Sequence, residues 1–493
     1  MVMITDQTNK KHPNILFLMC DQLQAEVLKE DSDCLTPHID RLLSRGLQFE
    51  RAYTPNAVCS PARASLMTGL LPHNHGVLQV THTVDDDQCN LREQFPHWAE
   101  SLVEEGYTTG YFGKWHIERS NNLEKFGWQI NGCVHSPLYH EKAAELLKDT
   151  PKEIFSVKKH VMEPHGYRRD QLLYGVTNID PKYRKMGVIT SLAADFLGEQ
   201  IKNKKKPWCC FVSVPEPHDP FICGEAAFEK YDIEKMTLKP NIHDSLVNQP
   251  NIYKKASRTW ESMSDDERKQ AIACYYASIT EIDERFGKLL DQLESADILD
   301  DTLIILTSDH GELLGAHGLY CKNFSAFEEI YNIPLIISGP RVAKGKTRAR
   351  VGLHDLAPTI TEWIGSNNQL FTYPDSQSFT SVLQDPEKNE QHFLTGFAEY
   401  HGGRLLISQR IVWYKEWKYV FNGFDFDELY DLKNDPYELH NLIDEPGLEN
   451  IVKQMCTLMW EKVIETGDHS LSQSHYPILR VAPFGPLIAE QNE

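Results

Sequence analysis

Asn14-Ile15-Leu16-Phe17-Leu18-Met19-Cys20 is an unbroken apolar run that stops on Asp21-Gln22. A short run with no polar alternation is the mark of a strand buried on both faces, as in a parallel sheet covered by helices. Similar runs recur at Trp208–Val214, ending at Pro215-Glu216-Pro217-His218-Asp219-Pro220, and at Thr302–Thr307, ending at Ser308-Asp309-His310-Gly311-Glu312. A further strand is expected at Thr108–Phe112, before Gly113-Lys114-Trp115-His116, and another at Pro334–Ser338. Between them lie helix-like stretches: Pro37 to Gly46, Trp98 to Gly106, Gly187 to Asn203 and Ala271 to Leu293. The first two follow the rule of glycine just past a helix end, and Pro37 suits a first turn. Asp355 before Leu356-Ala357-Pro358 reads as a helix cap.

Strands alternating with helices predict an α/β fold, a large and mainly parallel sheet sandwiched by helices. Such sheets bind ligands at the carboxyl ends of their strands. The polar residues just named all sit there. From about Asn389 the pattern changes. Short alternating runs at Arg404–Ile407, Gln409–Tyr414, Lys418–Phe421 and Glu428–Leu432, then a helix over Leu448–Glu465, predict a smaller α+β domain with an antiparallel sheet. The expected division is therefore 1–388 and 389–493, with 117–183, which lacks a clear period, as an insertion over the site. The proline-punctuated stretch His475–Leu487 is expected to pack across a neighbouring surface, and a second subunit is one candidate.

Composition narrows the function. With 493 residues and a net charge of −21, the chain has no basic face to meet nucleic acid. No segment reaches the ~20 apolar residues that span a bilayer, so no membrane partner is expected. The 11 cysteines form no Cys-x-x-Cys pair, and the polar start Met1–Lys11 lacks the apolar core of a secretory signal. A reducing, cytoplasmic setting is the expectation.

Two features carry chemistry. Asp21, Gln22, Asp309 and His310 offer two carboxylates, an amide oxygen and an imidazole at the ends of two apolar strands, a donor set suited to a divalent cation. The other is Ala57-Val58-Cys59-Ser60-Pro61-Ala62-Arg63-Ala64-Ser65-Leu66-Met67-Thr68-Gly69. Pro61 belongs in a first helical turn, so Cys59 falls at a helix N-terminus, where negative charge is stabilised, with Arg63 one turn on. On these grounds alone Cys59 is an activated cysteine nucleophile.

The run Cys59-x-Pro61-x-Arg63 with Ala64-Ser65-Leu66-x-Thr68-Gly69 resembles the signature of the type I, formylglycine-dependent sulfatases of the alkaline phosphatase superfamily. Gly113-Lys114-Trp115-His116, Pro217-His218-Asp219-Pro220, Thr307 to Glu312 with His317 and Lys322, and Glu428 to Glu438 resemble further family motifs in family order. The resemblance implies an alkaline-phosphatase-like fold and a formylglycine made from Cys59 by a maturation enzyme. It also implies one divalent metal on Asp21, Gln22, Asp309 and His310. Calcium is the expected ion, with manganese or magnesium as alternatives.

In such an enzyme the formylglycine hydrate attacks the sulfur of a sulfate monoester and Arg63 favours ionisation of the nucleophile. Lys114 and Lys322 bind the sulfuryl oxygens, His218 protonates the leaving alcohol, and His116 takes the proton that lets the aldehyde reform. The implied substrate is a sulfated saccharide, short because the surface is acidic. Gln22 and His310 depart from the commonest family pattern: the glutamine resembles the branch with choline sulfatases and phosphonate monoester hydrolases, and the histidine also occurs among iduronate-type sulfatases. A phosphonate or phosphodiester hydrolase, and a silent binding protein on the same fold, are the competing expectations.

Overall fold

The computed structural model describes residues 12–472 and 482–485, apart from 86, 162–170, 204, 323, 367–372 and 404. Its strands in chain order are β1 (Asn14–Asp21), β2 (Leu47–Tyr53), β3 (Thr108–Gly113), β4 (Ile130–Cys133), β5 (Phe155–Val161), β6 (Gln171–Thr177), β7 (Trp208–Pro217), β8 (Phe221–Gly224), β9 (Thr302–Ser308), β10 (Leu335–Ser338), β11 (Gly345–Gly352), β12 (Thr395–Tyr400), β13 (Gln409–Tyr414), β14 (Trp417–Asn422) and β15 (Glu428–Asp431). Eight of them form one sheet in the order β11-β2-β10-β9-β1-β7-β3-β4. All neighbours run parallel except β10, which is antiparallel to both β9 and β2.

The central strands show why their runs have no polar alternation. Leu16, Leu18 and Cys20 of β1 enter one core, whereas Ile15, Phe17 and Met19 enter the other. β7 divides likewise, with Cys209 and Cys210 on opposite faces as buried free thiols. The helices Lys185–Asn203 and Asp265–Ser295 cover the first face. Those at Cys59–Thr68, Trp98–Glu104 and Leu356–Trp363 cover the second. The long helix starts at a reciprocal capping box between Ser264 and Glu267, earlier than its apolar pattern alone suggests.

β12 to β15 make a four-stranded antiparallel sheet. One face, with Ile411, Trp413 and Val420, packs on Tyr53 and Ala57 of the larger part. The other, with Val412, Tyr419 and Phe421, packs on the helix Glu449–Glu465.

Three expectations change. Residues 117–183 are not wholly outside the sheet: β4 is its edge strand, and Pro137–Leu146 is a helix whose Ser136 cap accepts from Tyr139 N. β5 and β6 join β8 in a separate three-stranded sheet. Positions 404–407 hold no strand among the described residues; β12 lies earlier, and Leu406 is 86% exposed in the connection. Asp355 does not cap the helix Leu356–Trp363; its carboxylate accepts from Gly352 N and Gln377 N, serving the turn before it. The stretch His475–Leu487 lies outside the described residues except 482–485, where Phe484 O accepts from Trp460 Nε1 at 2.7 Å.

Candidate active site

Four adjacent parallel strands, β9, β1, β7 and β3, end on the same side of the sheet and deliver Asp309 and His310, Asp21 and Gln22, His218, and Lys114 respectively. The helix Cys59–Thr68 brings its first residue into that crevice. It has no acidic side chain in its first turn, so the positive end of its dipole is left to Cys59. Its far end stops at Gly69, whose φ of 70° suits glycine and where an added Cβ would lie 2.5 Å from the Tyr373 ring.

Cys59 is buried, its Sγ 3.4 Å from His310 Nε2 and 3.8 Å from Asp21 Oδ1. Burial pushes its thiol up, but Lys114, Lys322, His310 and His116 outweigh burial and hold it well below the ordinary thiol range. Arg63 spends its donors on the surroundings. Nε donates to Asp309 Oδ2 at 2.8 Å, Nη2 to Asp21 Oδ2 at 3.1 Å, and Nη1 to Ser213 Oγ and Lys114 O, each at 2.8 Å. It therefore fixes the two carboxylates and acts on Cys59 through charge. Burial and Cys59 oppose ionisation of Asp21, but Lys114, whose Nζ pairs with Asp21 Oδ2, together with His218 and Arg63 keeps it well below the usual carboxylate range.

The donor set fits a divalent cation. Ligand atoms of Asp21, Cys59, Asp309 and His310 all lie within 4.8 Å of one another. His310 Nδ1 donates to Gly311 O at 2.9 Å, which fixes the ring. Nε2, the nitrogen left to face the crevice, lies 3.6 Å from Asp21 Oδ1 and 3.7 Å from Asp309 Oδ1. Asp309 Oδ1 is itself held by the backbone N–H of Gln22 and His310. Gln22 adopts φ 71°, a left-handed conformation unusual for a residue with a Cβ.

The remaining predicted residues line the same crevice. Lys322 Nζ donates to Gln22 Oε1 at 2.8 Å and lies 2.5 Å from His218 Nε2. His218 Nδ1 contacts Asp219 O at 2.7 Å. Burial and Lys322 push His218 down, but Asp21, Cys59 and Asp219 leave its pKa above the ordinary histidine value. His116, with φ 61°, meets His82 Nδ1 through Nε2 at 2.7 Å, and its Nδ1 is buried without a hydrogen-bond partner. Burial drives His116 down to about 4, so it is neutral near pH 7.

The structure thus brings together every residue that the sequence nominates: Cys59, Arg63, Lys114, His116, His218, Lys322, Asp21, Gln22, Asp309 and His310. It adds four. Ser213 takes one Arg63 bond from inside β7. His82 supports His116 and carries no local signature in the sequence. Asp219 and Glu312 both receive Gln22 Nε2, Asp219 at 3.1 Å. These last two lie inside quoted motifs, and a short carboxylate beside a nominated ligand was the available signal.

A family model described as Sulfatase matches residues 13–366, which include every residue of this crevice. The chain belongs to the sulfatase family. It is a sulfuric ester hydrolase on that ground. A second model, described as N-sulphoglucosamine sulphohydrolase, C-terminal, matches residues 315–465 of this sulfatase. A choline-sulfatase of Rhizobium meliloti is 28% identical to it, over 88% of this chain and 83% of the relative. An N-acetylglucosamine-6-O-sulfatase of Bacteroides thetaiotaomicron is 25% identical, over 92% and 86%. In fold, this sulfatase is similar to a phosphonate monoester hydrolase from Silicibacter pomeroyi, with TM-score 0.74, 21% identity and coverage of 93% and 97%. No helix among the described residues is long and apolar enough to cross a membrane.

Proposed function

We propose that this sulfatase cleaves sulfate monoesters of short saccharides, using a formylglycine made from Cys59 by a maturation enzyme and one divalent cation held by Asp21, Gln22, Asp309 and His310. The observation that carries it is the position of Cys59: at a helix N-terminus, 3.4 Å from His310 Nε2, with Lys114 and Lys322 helping to hold its thiol well below the ordinary range. Formylglycine hydrate would present two hydroxyls on one carbon, one to attack sulfur and one to return the aldehyde. The cation would withdraw charge from the sulfuryl oxygens and favour ionisation of the nucleophile. Calcium is the first choice; manganese suits the nitrogen ligand.

The protein's own groups supply the rest. Lys114 and Lys322 bind the anionic sulfuryl group, and both are already aimed at the crevice by Asp21 and Gln22. Arg63 holds Asp21 and Asp309 at fixed separation. His218, with its pKa raised, keeps a proton for the departing alcohol. His116 is neutral, and its unpartnered Nδ1 can accept a proton while Nε2 stays on His82.

The saccharide is supported by the relative that acts on N-acetylglucosamine-6-O-sulfate and by the C-terminal family match. A second reading, a phosphonate monoester hydrolase, is favoured by Gln22 and His310, which depart from the commoner family residues. Turnover of sulfated mono- and disaccharides, choline sulfate, aryl sulfate and phenyl phosphonate on one preparation tests both. A sulfated sugar is expected to have the highest kcat/KM; preference for the phosphonate would overturn the first reading. The mass of the Cys59 peptide is expected to show the aldehyde or its hydrate.

A further inference from the structure

The side-chain amide of Gln22 is locked at both ends. Its Nε2 donates to Glu312 Oε2 and, at 3.1 Å, to Asp219 Oδ1, so both amide hydrogens are taken by carboxylates. Its Oε1 accepts from Lys322 Nζ at 2.8 Å. Turning the amide over would set its oxygen against two carboxylates and its NH2 against an ammonium. All three bonds would be lost. Glu312 is itself immobile: its Oε1 accepts from Leu314 N at 2.8 Å and Cys321 N at 2.6 Å, which leaves Oε2 for Gln22. The same geometry explains why position 22 carries an amide. A carboxylate there would be the third in contact with Asp219 and Glu312, adding negative charge where burial and Asp219 already push Glu312 up to about 7.

We propose that Glu312 and Asp219 are positioning residues that hold the oxygen of Gln22 forward as a cation ligand, and that Glu312 and Gln22 form a donor–acceptor pair whose polarity matters more than its identity. This rests on the reading of Asp21, Gln22, Asp309 and His310 as the metal centre. With its oxygens taken by Leu314 N, Cys321 N and Gln22 Nε2, Glu312 acts through Gln22, as groups behind metal ligands commonly do.

The test is metal affinity rather than turnover. Full-length protein stripped with chelator is dialysed against Mn2+ and, separately, Ca2+, and bound metal is measured by mass spectrometry, with apo-protein Tm as the fold check. Glu312→Gln sets two NH2 groups face to face and is expected to weaken binding by about tenfold or more. Gln22→Glu, which crowds three carboxylates, is expected to weaken it comparably. The double variant Gln22→Glu with Glu312→Gln restores a donor facing an acceptor with the direction reversed, and is expected to bind at least about fivefold more tightly than either single variant. Asp219→Asn, on a partly exposed loop, is expected to shift affinity in the same direction by less, and serves if Glu312→Gln fails to fold.

Affinity within about twofold of wild type for Glu312→Gln or Asp219→Asn, or strictly additive losses in the double variant, would overturn the positioning role and leave the metal centre standing. Wild-type protein that takes up neither ion would remove the metal centre and this inference with it.

Discussion

Two buried clusters of histidine, carboxylate and arginine lie close in sequence to the two ends of the helix Cys59–Thr68, and only one is built for chemistry. Around Cys59, His310 donates from Nδ1 to Gly311 O and turns Nε2 toward Asp21 and Asp309. In the other cluster, His73 Nδ1 meets Glu399 Oε2 at 2.9 Å and Nε2 meets Thr466 O at 3.1 Å. Both ring nitrogens donate there. Despite burial, Glu399 and Thr466 raise its pKa to about 9, so His73 is a cation rather than a ligand. Arg410 of β13 pairs with Asp468 through Nε at 2.9 Å and Nη2 at 2.5 Å, and lies 3.7 Å from Glu399 of β12. Ligand atoms of His73, Glu399 and Asp468 are close enough to hold a metal, yet both carboxylates already face a cation and the imidazole is one. This cluster pins the small antiparallel sheet to the turn after the helix Cys59–Thr68. The difference teaches that proximity of ligand types says little until each lone pair and proton has been accounted for.

That contrast breaks first if Cys59→Ala keeps activity. Loss of the nucleophile should lower kcat by about 10^4-fold or more, with Tm changed little; retention of more than about 1% would move the chemistry elsewhere. The opposite profile is expected for Glu399→Gln. It leaves His73 and Arg410 short of a buried counter-charge, and breaking such a pair costs about 3–5 kcal/mol of stability. Urea unfolding should show that loss, while kcat per folded molecule stays near wild type. Chelation should separate the clusters a third way: activity falls by about 100-fold and returns with Ca2+ or Mn2+, with the His73 cluster untouched. The smallest effect is a pH slope. His73 has a folded pKa raised from 6.5 to about 9, so its stabilisation is complete below 6.5 and is lost as pH rises through about 9. Unfolding free energies of wild type and His73→Gln measured across that window should converge toward the alkaline end; parallel curves would mean His73 is neutral in the fold.

The legible part of this molecule was its centre. β1, β7 and β9 announce themselves because strands buried on both faces cannot afford polar residues until they end, and they end on the site. The nominated ligands follow from that grammar, whereas Lys114, His116, His218 and Lys322 are named through the family resemblance. What stayed hidden lies toward the margins. β11 carries exposed Lys346 and Arg348 in an edge strand, where charge guards against pairing with another chain, and a buried Arg350 whose guanidinium donates to Leu394 O and Lys415 O; together they erase any apolar pattern. β2 contains Glu50 and Arg51 for want of full cover. Leu405 and Leu406 mimic a strand while standing exposed in a connection. Asp355 looked like a cap because its carboxylate does serve a turn, though the preceding one. His82 could not be found at all, since its only mark is another ring folded against it.

The burial of Cys59 has a consequence in time. In the finished protein a 2% exposed thiol lies between β1 and the residues that follow β9, and no second protein can reach it there. Asp309, His310 and Lys322 are synthesised some 250 residues after Cys59. During that interval the nucleophile helix has no roof. Any protein that converts this cysteine must therefore act on a chain still emerging or not yet closed, and the arrival of β9 sets the deadline.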